Sequence, residues 1–200
     1  AENLDFLTLF SWKNVIIPDY FYLFFSFFKK NKNKIIKKIT QKIKKNPIII
    51  RSSSAIEDQK NISNAGKYDS MSIDNILDHN IILSKIENFL KQFHSPKDKI
   101  IVQTLITKVD HAGVIFTKDA NYNSPYYVIN YDDSGKTNLI TSGTKSKNQK
   151  NLIIYKNFKG ELGKFQKLIT ICKKIEKKAF LDRLDIEFAI KNKKIYLFQV

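Results

Sequence analysis

The chain has 200 residues, of which 42% are hydrophobic and 12% aromatic, a composition that excludes a disordered protein and suffices for one substantial core or two small lobes. Its 35 lysine and arginine residues and 19 acidic residues give a net charge of +16, but the lysines are spread along the sequence, which predicts a compositional bias of the whole chain and not a localised basic patch. The single cysteine, Cys172, excludes a disulfide framework and a cysteine-based metal cluster and favours a reducing, cytoplasmic compartment.

The spacing of apolar residues predicts three helices at the start of the chain. Residues 1–10 carry leucines at helical intervals, and an aromatic stretch follows at 20–28. That stretch is shorter than the roughly 20 apolar residues that span a bilayer, and no basic region precedes it, so it predicts a buried helix beginning at Pro18. A position at a membrane surface stays open for it. Residues 29–45 place four isoleucines on one stripe and predict an amphipathic helix.

A short buried strand at 48–50 delivers Arg51, a run of serines at 52–54 and then a loop that contains Gly66. Arginine offers a planar fork of donors to an oxyanion, and hydroxyl groups and backbone amides can complete its hydrogen bonds. Arg51 and Arg183 are the only arginines, and lysine does not replace arginine at a bidentate oxyanion site. The pattern favours phosphate binding, although a serine-rich turn after a strand can also be a turn with no ligand.

The rest of the chain is rich in predicted strands. A second amphipathic helix is predicted over 75–93, before Ser95-Pro96. Strands are then predicted at 100–106, 113–117, 126–131 and 151–155, with a turn at 110–112 between the first two. A further helix over 161–180 has an apolar face that includes Cys172.

The last 17 residues read as a hairpin in which apolar residues alternate from 184 to 190. Alternation puts Asp185 and Glu187 on one face of the first strand. Matching the apolar faces of the two strands places Tyr196, Phe198 and Val200 alongside the apolar residues of the first strand, with Phe188 opposite Phe198.

That register places Gln199 opposite Glu187, with both side chains on one face. A symmetric two-residue turn at Asn192-Lys193 would instead pair Glu187 with Phe198, so we expect an odd loop or a β-bulge. A carboxylate and an amide oxygen side by side suit Mg²⁺, which takes few protein ligands and several phosphate oxygens. The same pattern also fits a half-exposed hairpin with an ordinary polar face.

Four motifs, in this order, resemble those of the ATP-grasp nucleotide-binding domain of pyruvate phosphate dikinase, phosphoenolpyruvate synthase and their relatives. They are residues 50–53 with 57–58, residues 65–66 with Ser70, Gln103 with residues 112–119, and residues 185–188 with 197–199. The opening residues 1–4 and Ile17-Pro18 are also similar to that family. The resemblance implies an α+β fold of the ATP-grasp type with two α+β lobes, 1–99 and 100–200, and a mostly antiparallel sheet in the second lobe.

The resemblance also implies roles for residues of the first half. Arg51 would bind the transferred phosphates and carry the catalytic role. Gly66 and Ser70 would form the lid that covers the phosphates. Gln103 and the strand after it would hold the edge of the adenine.

In the second half, the resemblance implies that Glu187 and Gln199 bind ATP through Mg²⁺, with Asp185 as a further metal ligand beside them. ATP and Mg²⁺ are therefore the expected cofactors. The family's phosphate-binding lysine would fall before Ala1 and a second arginine after Val200, so we expect a domain of a longer, multidomain enzyme.

The implied activity is cleavage of ATP to AMP and phosphate, with passage of the β-phosphate to a histidine on a swivelling domain of the same parent chain. Lys67-Tyr68, where the family often has glutamine after its glycine, and the polar segment 130–143 are closer to the capsule-associated branch, of which L-glutamine kinase is an example. The expected acceptor is the amide of L-glutamine; phosphoenolpyruvate synthesis and antibiotic phosphorylation are alternatives.

A function of another class stays open. A basic nucleic-acid-binding module with no catalytic role would bind a duplex with an affinity that falls steeply as salt rises. Under the ATP-binding interpretation, neither a nucleic acid nor a membrane is an expected partner.

Overall fold

A computed structural model of the chain describes residues 2–43, 47–53, 70–74, 76, 78–91, 98–119, 124–135, 137 and 148–200. The helices in these ranges are α1 Glu2–Thr8, α2 Phe25–Lys30, α3 Lys32–Ile43, α4 His79–Leu90 and α5 Gln166–Ala179, with a 3₁₀ turn at Gly163–Phe165 before α5. The strands are β1 Val15–Ile16, β2 Tyr20–Phe24, β3 Ile48–Ser53, β4 Met71–Ile73, β5 Lys99–Thr104, β6 His111–Phe116, β7 Tyr126–Asp132, β8 Gln149–Tyr155, β9 Asp185–Lys191 and β10 Lys194–Gln199.

The chain divides into two compact units, Pro18–Ile106 and Glu2–Ile17 with Thr107–Val200. These units differ from the lobes 1–99 and 100–200 of the sequence analysis at two places. Strand β5 belongs to the first unit because it pairs with β2 and β3. Strand β1 belongs to the second unit because it pairs with β10.

The first unit contains a four-stranded antiparallel sheet in the order β2-β5-β3-β4. Helices α2, α3 and α4 contribute phenylalanine, isoleucine and leucine side chains to a core that covers one face of this sheet. The amphipathic helix predicted over 29–45 is confirmed, since α3 buries the four isoleucines of its stripe, Ile35, Ile36, Ile39 and Ile43.

Helix α4 begins four residues later than predicted. Asp78 caps it, because its carboxylate accepts hydrogen bonds from the backbone N–H groups of Asn80 and Ile81 at 2.9 and 3.1 Å. The predicted end of this helix, with Phe93, lies outside the described residues.

The prediction of one helix over the aromatic stretch 20–28 is wrong in its first half. Residues of β2 pair with β5 from Tyr20 to Phe24, and the helix α2 begins only at Phe25. Within β2, Phe21 and Leu23 are buried in the core while Tyr22 is exposed. This two-residue period is that of a strand with one buried face, and the sheet pairing decides between the two structures.

The second unit contains a six-stranded sheet in the order β1-β10-β9-β6-β7-β8, antiparallel except for the pair β1–β10, which confirms the mostly antiparallel arrangement. Helix α5 packs on one face, where the Tyr127 hydroxyl donates to Glu176 at 2.9 Å. Cys172 of α5 is fully buried in this core, and burial raises the pKa of its thiol. The turn predicted at 110–112 is wrong for its last two residues, because β6 already begins at His111.

Among the described residues, no helix is both long enough and apolar enough to cross a membrane.

Candidate functional site

Arg51 and Gln103 lie on the same face of the four-stranded sheet, opposite the helices. Arg51 pairs with Ile101, and Ile49 pairs with Gln103, so the two polar residues are diagonal neighbours on adjacent strands. Such positions have Cα atoms about 7–8 Å apart. Both side chains are buried, Arg51 with 8% of its surface exposed and Gln103 with none. The first sheet therefore places an arginine and an amide side by side in a shielded environment.

Among the described residues, the side-chain amide of Gln103 is buried without the hydrogen bonds that such a group needs. In the part of the chain that the structure describes, neither its nitrogen nor its oxygen makes a hydrogen bond. Leaving such a group buried and unsatisfied costs about 1–3 kcal/mol, so it calls for an explanation, and a bound ligand is one.

The predicted lid is described only at its end. Ser70 is half-buried and lies immediately before β4. Gly66, residues 57–58 and the serine at 54 lie outside the described residues.

The closing hairpin has the register that the sequence analysis predicted for Glu187 and Gln199. Asn192 and Lys193 form a two-residue turn with positive φ angles of 51° and 61°. This turn pairs the strands symmetrically as far as Leu197, and a β-bulge then shifts the register so that Gln199 pairs with Glu187. The expectation of an odd loop or a bulge is thus confirmed, with the bulge as the solution.

Two other parts of the hairpin prediction are wrong. Phe188 pairs with Leu197, and Tyr196 pairs with Ala189, which places Tyr196 on the face of Glu187. The reason is that the two-residue turn sets the register up to Leu197, whereas the bulge at Phe198 corrects it only beyond that point. Phe198 is nevertheless buried.

On the face that carries Glu187, polar residues recur along one line across the sheet, interrupted by Val114 of β6. Glu187 pairs with Val114 of β6, which pairs with Asn130 of β7, which in turn pairs with Asn151 of β8. Asn130 lies two strands from Glu187, or about 10 Å at the usual strand spacing. The sequence analysis assigned Asn130 no role. Because Tyr127 and Ile129 are buried, the two-residue period of the strand places Asn130 on the opposite face, and this pattern could have identified it.

The three candidate metal ligands differ in their exposure to solvent. Glu187 is half-buried, while Gln199 and Asp185 are exposed. Although more than a third of Asp185 is open to solvent, burial by the surrounding protein raises the pKa of its carboxyl more than the Arg183 guanidinium lowers it. A bound cation would oppose this rise by stabilising the charged form.

The donor set fits Mg²⁺ better than a metal held by protein ligands alone. No group of three or more His, Cys, Asp or Glu side chains among the described residues is arranged to hold a metal. Glu187 and Gln199 offer one carboxylate and one amide oxygen on paired positions, with Asp185 two residues away on the same face. Mg²⁺ is commonly bound by one or two carboxylates together with substrate phosphates and water.

Gly113 and Thr117 of the motif 112–119 support this region of the sheet. A Cβ atom at Gly113 would lie 2.0 Å from the backbone oxygen of Asn130, so only glycine allows β6 and β7 to approach as they do. The buried Thr117 hydroxyl accepts a hydrogen bond from the Leu184 N–H at 2.9 Å. Lys118 forms an ion pair with Asp182 at 2.6 Å. These contacts hold the segment that leads into Asp185.

Comparison with family models and with curated proteins finds no match. Among solved structures, the chain is similar to the VanG D-Ala:D-Ser ligase of Enterococcus faecalis, with a TM-score of 0.50, 12% identity, and coverage of 99% of this chain and 49% of that chain. It is also similar to D-alanyl-alanine synthetase A of Vibrio cholerae, with a TM-score of 0.47, 13% identity, and coverage of 93% and 50%.

The D-alanine–D-alanine ligase of Helicobacter pylori matches with a TM-score of 0.48, 13% identity, and coverage of 92% and 45%. The chain therefore spans about half the length of these structures. The topology of the two units, together with the similarity to the E. faecalis ligase, shows that the chain has the ATP-grasp fold.

Proposed function

We propose that the chain is the ATP- and Mg²⁺-binding domain of an ATP-dependent phosphotransferase. The observation that carries the proposal is the pairing of Glu187 with Gln199, which a bulge restores against the register set by the turn. A bulge interrupts the regular hydrogen bonding of the two strands. The need to keep two oxygen ligands on one face accounts for the presence of the bulge in this hairpin.

The described residues support separate roles. Arg51 binds the transferred phosphates as a fixed fork of donors, and its burial strengthens such contacts. Among the described residues, the Gln103 amide has neither an acceptor for its N–H groups nor a donor to its oxygen, and the edge of adenine presents both a donor and an acceptor. Glu187 and Gln199 orient Mg²⁺, with Asp185 beside them. Bound Mg²⁺ supplies neutralisation of the phosphate charge.

The finer assignment is that ATP is cleaved to AMP and phosphate while the β-phosphate passes to a histidine on another domain of the parent chain. The acceptor that we propose is L-glutamine, in capsule biosynthesis. This assignment rests on the family resemblance of the four motifs, with phosphoenolpyruvate synthesis or antibiotic phosphorylation as alternatives.

A second candidate is an ATP-dependent ligase, which the similarity to the E. faecalis D-Ala:D-Ser ligase favours. The two candidates differ in the nucleotide product. A dikinase-type transfer releases AMP, whereas a ligase that activates its substrate with the γ-phosphate alone releases ADP. Chromatography of the nucleotides after incubation of the parent protein with ATP, Mg²⁺, and L-glutamine, pyruvate or D-alanine separates them. ADP formation with D-alanine would contradict the phosphotransferase assignment.

Nucleotide binding itself is tested by calorimetric titration of ATP with and without Mg²⁺. We expect Arg51→Lys to weaken binding about tenfold or more, because a bidentate charged contact is lost. Arg183→Lys, at the other arginine, is the matched control and should change affinity little. A tight, salt-sensitive affinity for duplex DNA together with no affinity for ATP would instead support the nucleic-acid-binding alternative.

A further inference from the structure

Helix α5 has an exposed face that is rich in lysine. Its opposite face is buried against the six-stranded sheet. The one acidic residue of the helix, Glu176, is directed toward the sheet, where it accepts hydrogen bonds from Tyr127 and Lys156. Its exposed lysines form no ion pair within the described part of the chain; they are Lys167, Lys173, Lys174, Lys177 and Lys178. All charged side chains on the exposed face are thus positive.

The helix ends in a conformation that its sequence does not favour. Phe180 adopts the left-handed region at φ 54° and ψ 35°, and its N–H donates to the Glu176 carbonyl oxygen. Glycine is the usual residue at this position, because a side chain is strained there. Phe180 is nevertheless 92% exposed, and the next residue, Leu181, is 55% exposed. Packing among the described residues gives no reason for either apolar side chain.

We propose that this end of α5 docks on an anionic membrane surface. The docking tip consists of Lys173, Lys174, Lys177, Lys178, Phe180 and Leu181. The lysines are attracted by the negative potential of anionic headgroups, and the two apolar side chains enter the boundary between headgroups and acyl chains. The net charge of +16 adds a long-range attraction of the same sign. The protein would lie on the membrane without crossing it.

The residue types favour a lipid surface over the other polyanions. Lysine is depleted in protein–protein interfaces, whereas clusters of lysine beside apolar side chains are typical of surfaces that bind anionic lipids. A fluid headgroup layer also needs no matched geometry, which suits flexible lysine side chains. Nucleic acid would engage the lysines but would offer Phe180 and Leu181 no apolar phase.

The test is co-sedimentation of the chain with vesicles of phosphatidylcholine alone and of phosphatidylcholine with phosphatidylglycerol. We expect binding to the mixed vesicles only, weakened when NaCl rises from about 50 to about 500 mM. Phe180→Gly with Leu181→Ser should lower the partition coefficient about tenfold, because the apolar contribution is lost. The glycine relieves the left-handed strain, so an unchanged or raised midpoint of thermal unfolding excludes unfolding as the cause.

Ile153→Ser is the matched control, since Ile153 is 65% exposed on β8, three strands away from β9. It should leave the partition coefficient unchanged. Equal vesicle binding by the Phe180 and Leu181 variant and the unaltered chain would overturn the proposal, as would equal binding to both kinds of vesicle. The outcome is independent of ATP binding, which the same variant should retain in the calorimetric titration.

Discussion

The two sheets carry their candidate site residues in opposite environments. Each sheet has one face packed under helices and a second face with polar residues. On the first sheet these polar residues, Arg51 and Gln103, are buried, whereas on the second sheet Asp185 and Gln199 are exposed. Burial therefore imposes a larger stability cost on the first face than on the second. Substitutions should therefore couple stability to binding in the first unit and separate them in the second.

The largest effect on stability is expected at Gly113, where β6 and β7 are too close to accommodate a side chain. Gly113→Ala would place a methyl group 2.0 Å from the Asn130 backbone oxygen and force β6 and β7 apart. We expect a loss of roughly 3 kcal/mol in the free energy of unfolding, measured by urea denaturation. Gly163→Ala is the control, because Gly163 has φ 52° but nothing within 4 Å of the added Cβ. It should cost only about 1 kcal/mol, and equal losses at the two glycines would contradict the steric explanation.

A second substitution tests the connection that leads into Asp185. Thr117→Val removes the buried oxygen that accepts from the Leu184 N–H. The free energy of unfolding should fall by about 2 kcal/mol, because the N–H is left unsatisfied. Thr170→Val removes an exposed hydroxyl that donates to Gln166 within α5 and should change stability by less than about 0.5 kcal/mol. If Thr117→Val were as mild as its control, the hydroxyl would not hold this segment.

The difference between the buried polar face of the first sheet and the exposed polar face of the second is tested by removing one amide from each sheet. Gln103→Leu replaces the buried unsatisfied group and should raise the free energy of unfolding by about 1–2 kcal/mol while it lowers the affinity for ATP. Gln199→Leu, on the exposed face, should leave stability within about 0.5 kcal/mol and weaken only the Mg²⁺-dependent part of ATP binding. Urea denaturation and calorimetry measure the two quantities. A destabilised Gln103→Leu variant would show that its amide is satisfied in solution.

The smallest effect concerns the hairpin turn. Lys193→Gly should stabilise the chain by about 1 kcal/mol, because Lys193 has φ 61° in a two-residue turn that favours glycine. The same change at Lys194, which is in β10, should instead destabilise it by about 0.5–1 kcal/mol. Thermal unfolding monitored by circular dichroism separates the two, and a matching sign for both would argue against the turn assignment.

Sequence patterns predicted the elements whose two faces differ in polarity. In α3 and β9 the apolar period alone identifies the buried side, and the structure agrees. In β3 three isoleucines in a row are all buried, so periodicity could not say which face Arg51 occupies. That information resides in the pairing with β5, a contact between residues about fifty positions apart.

The errors have a similar origin. Nearly every residue of the stretch 20–28 is apolar, so its pattern fits a helix as well as a strand. Tyr20–Phe24 form a strand because they pair with β5, which the local sequence does not reveal. In the hairpin, the sequence required a bulge or an odd loop for Glu187 to meet Gln199 but contained no signal for its position. The bulge is needed because Asn192 and Lys193 form a symmetric turn with positive φ angles, a conformation that neither residue type requires.

The pairing of β1 with β10 has a consequence for the order of events during protein synthesis. Val15 and Ile16 leave the ribosome about 180 residues before their partners Ile195 and Tyr196. The intervening residues Pro18–Ile106 form a unit of their own and can fold while the nascent chain still lacks β10. Strand β1 therefore cannot pair with β10 during this time, and the six-stranded sheet is completed only when translation has passed Gln199.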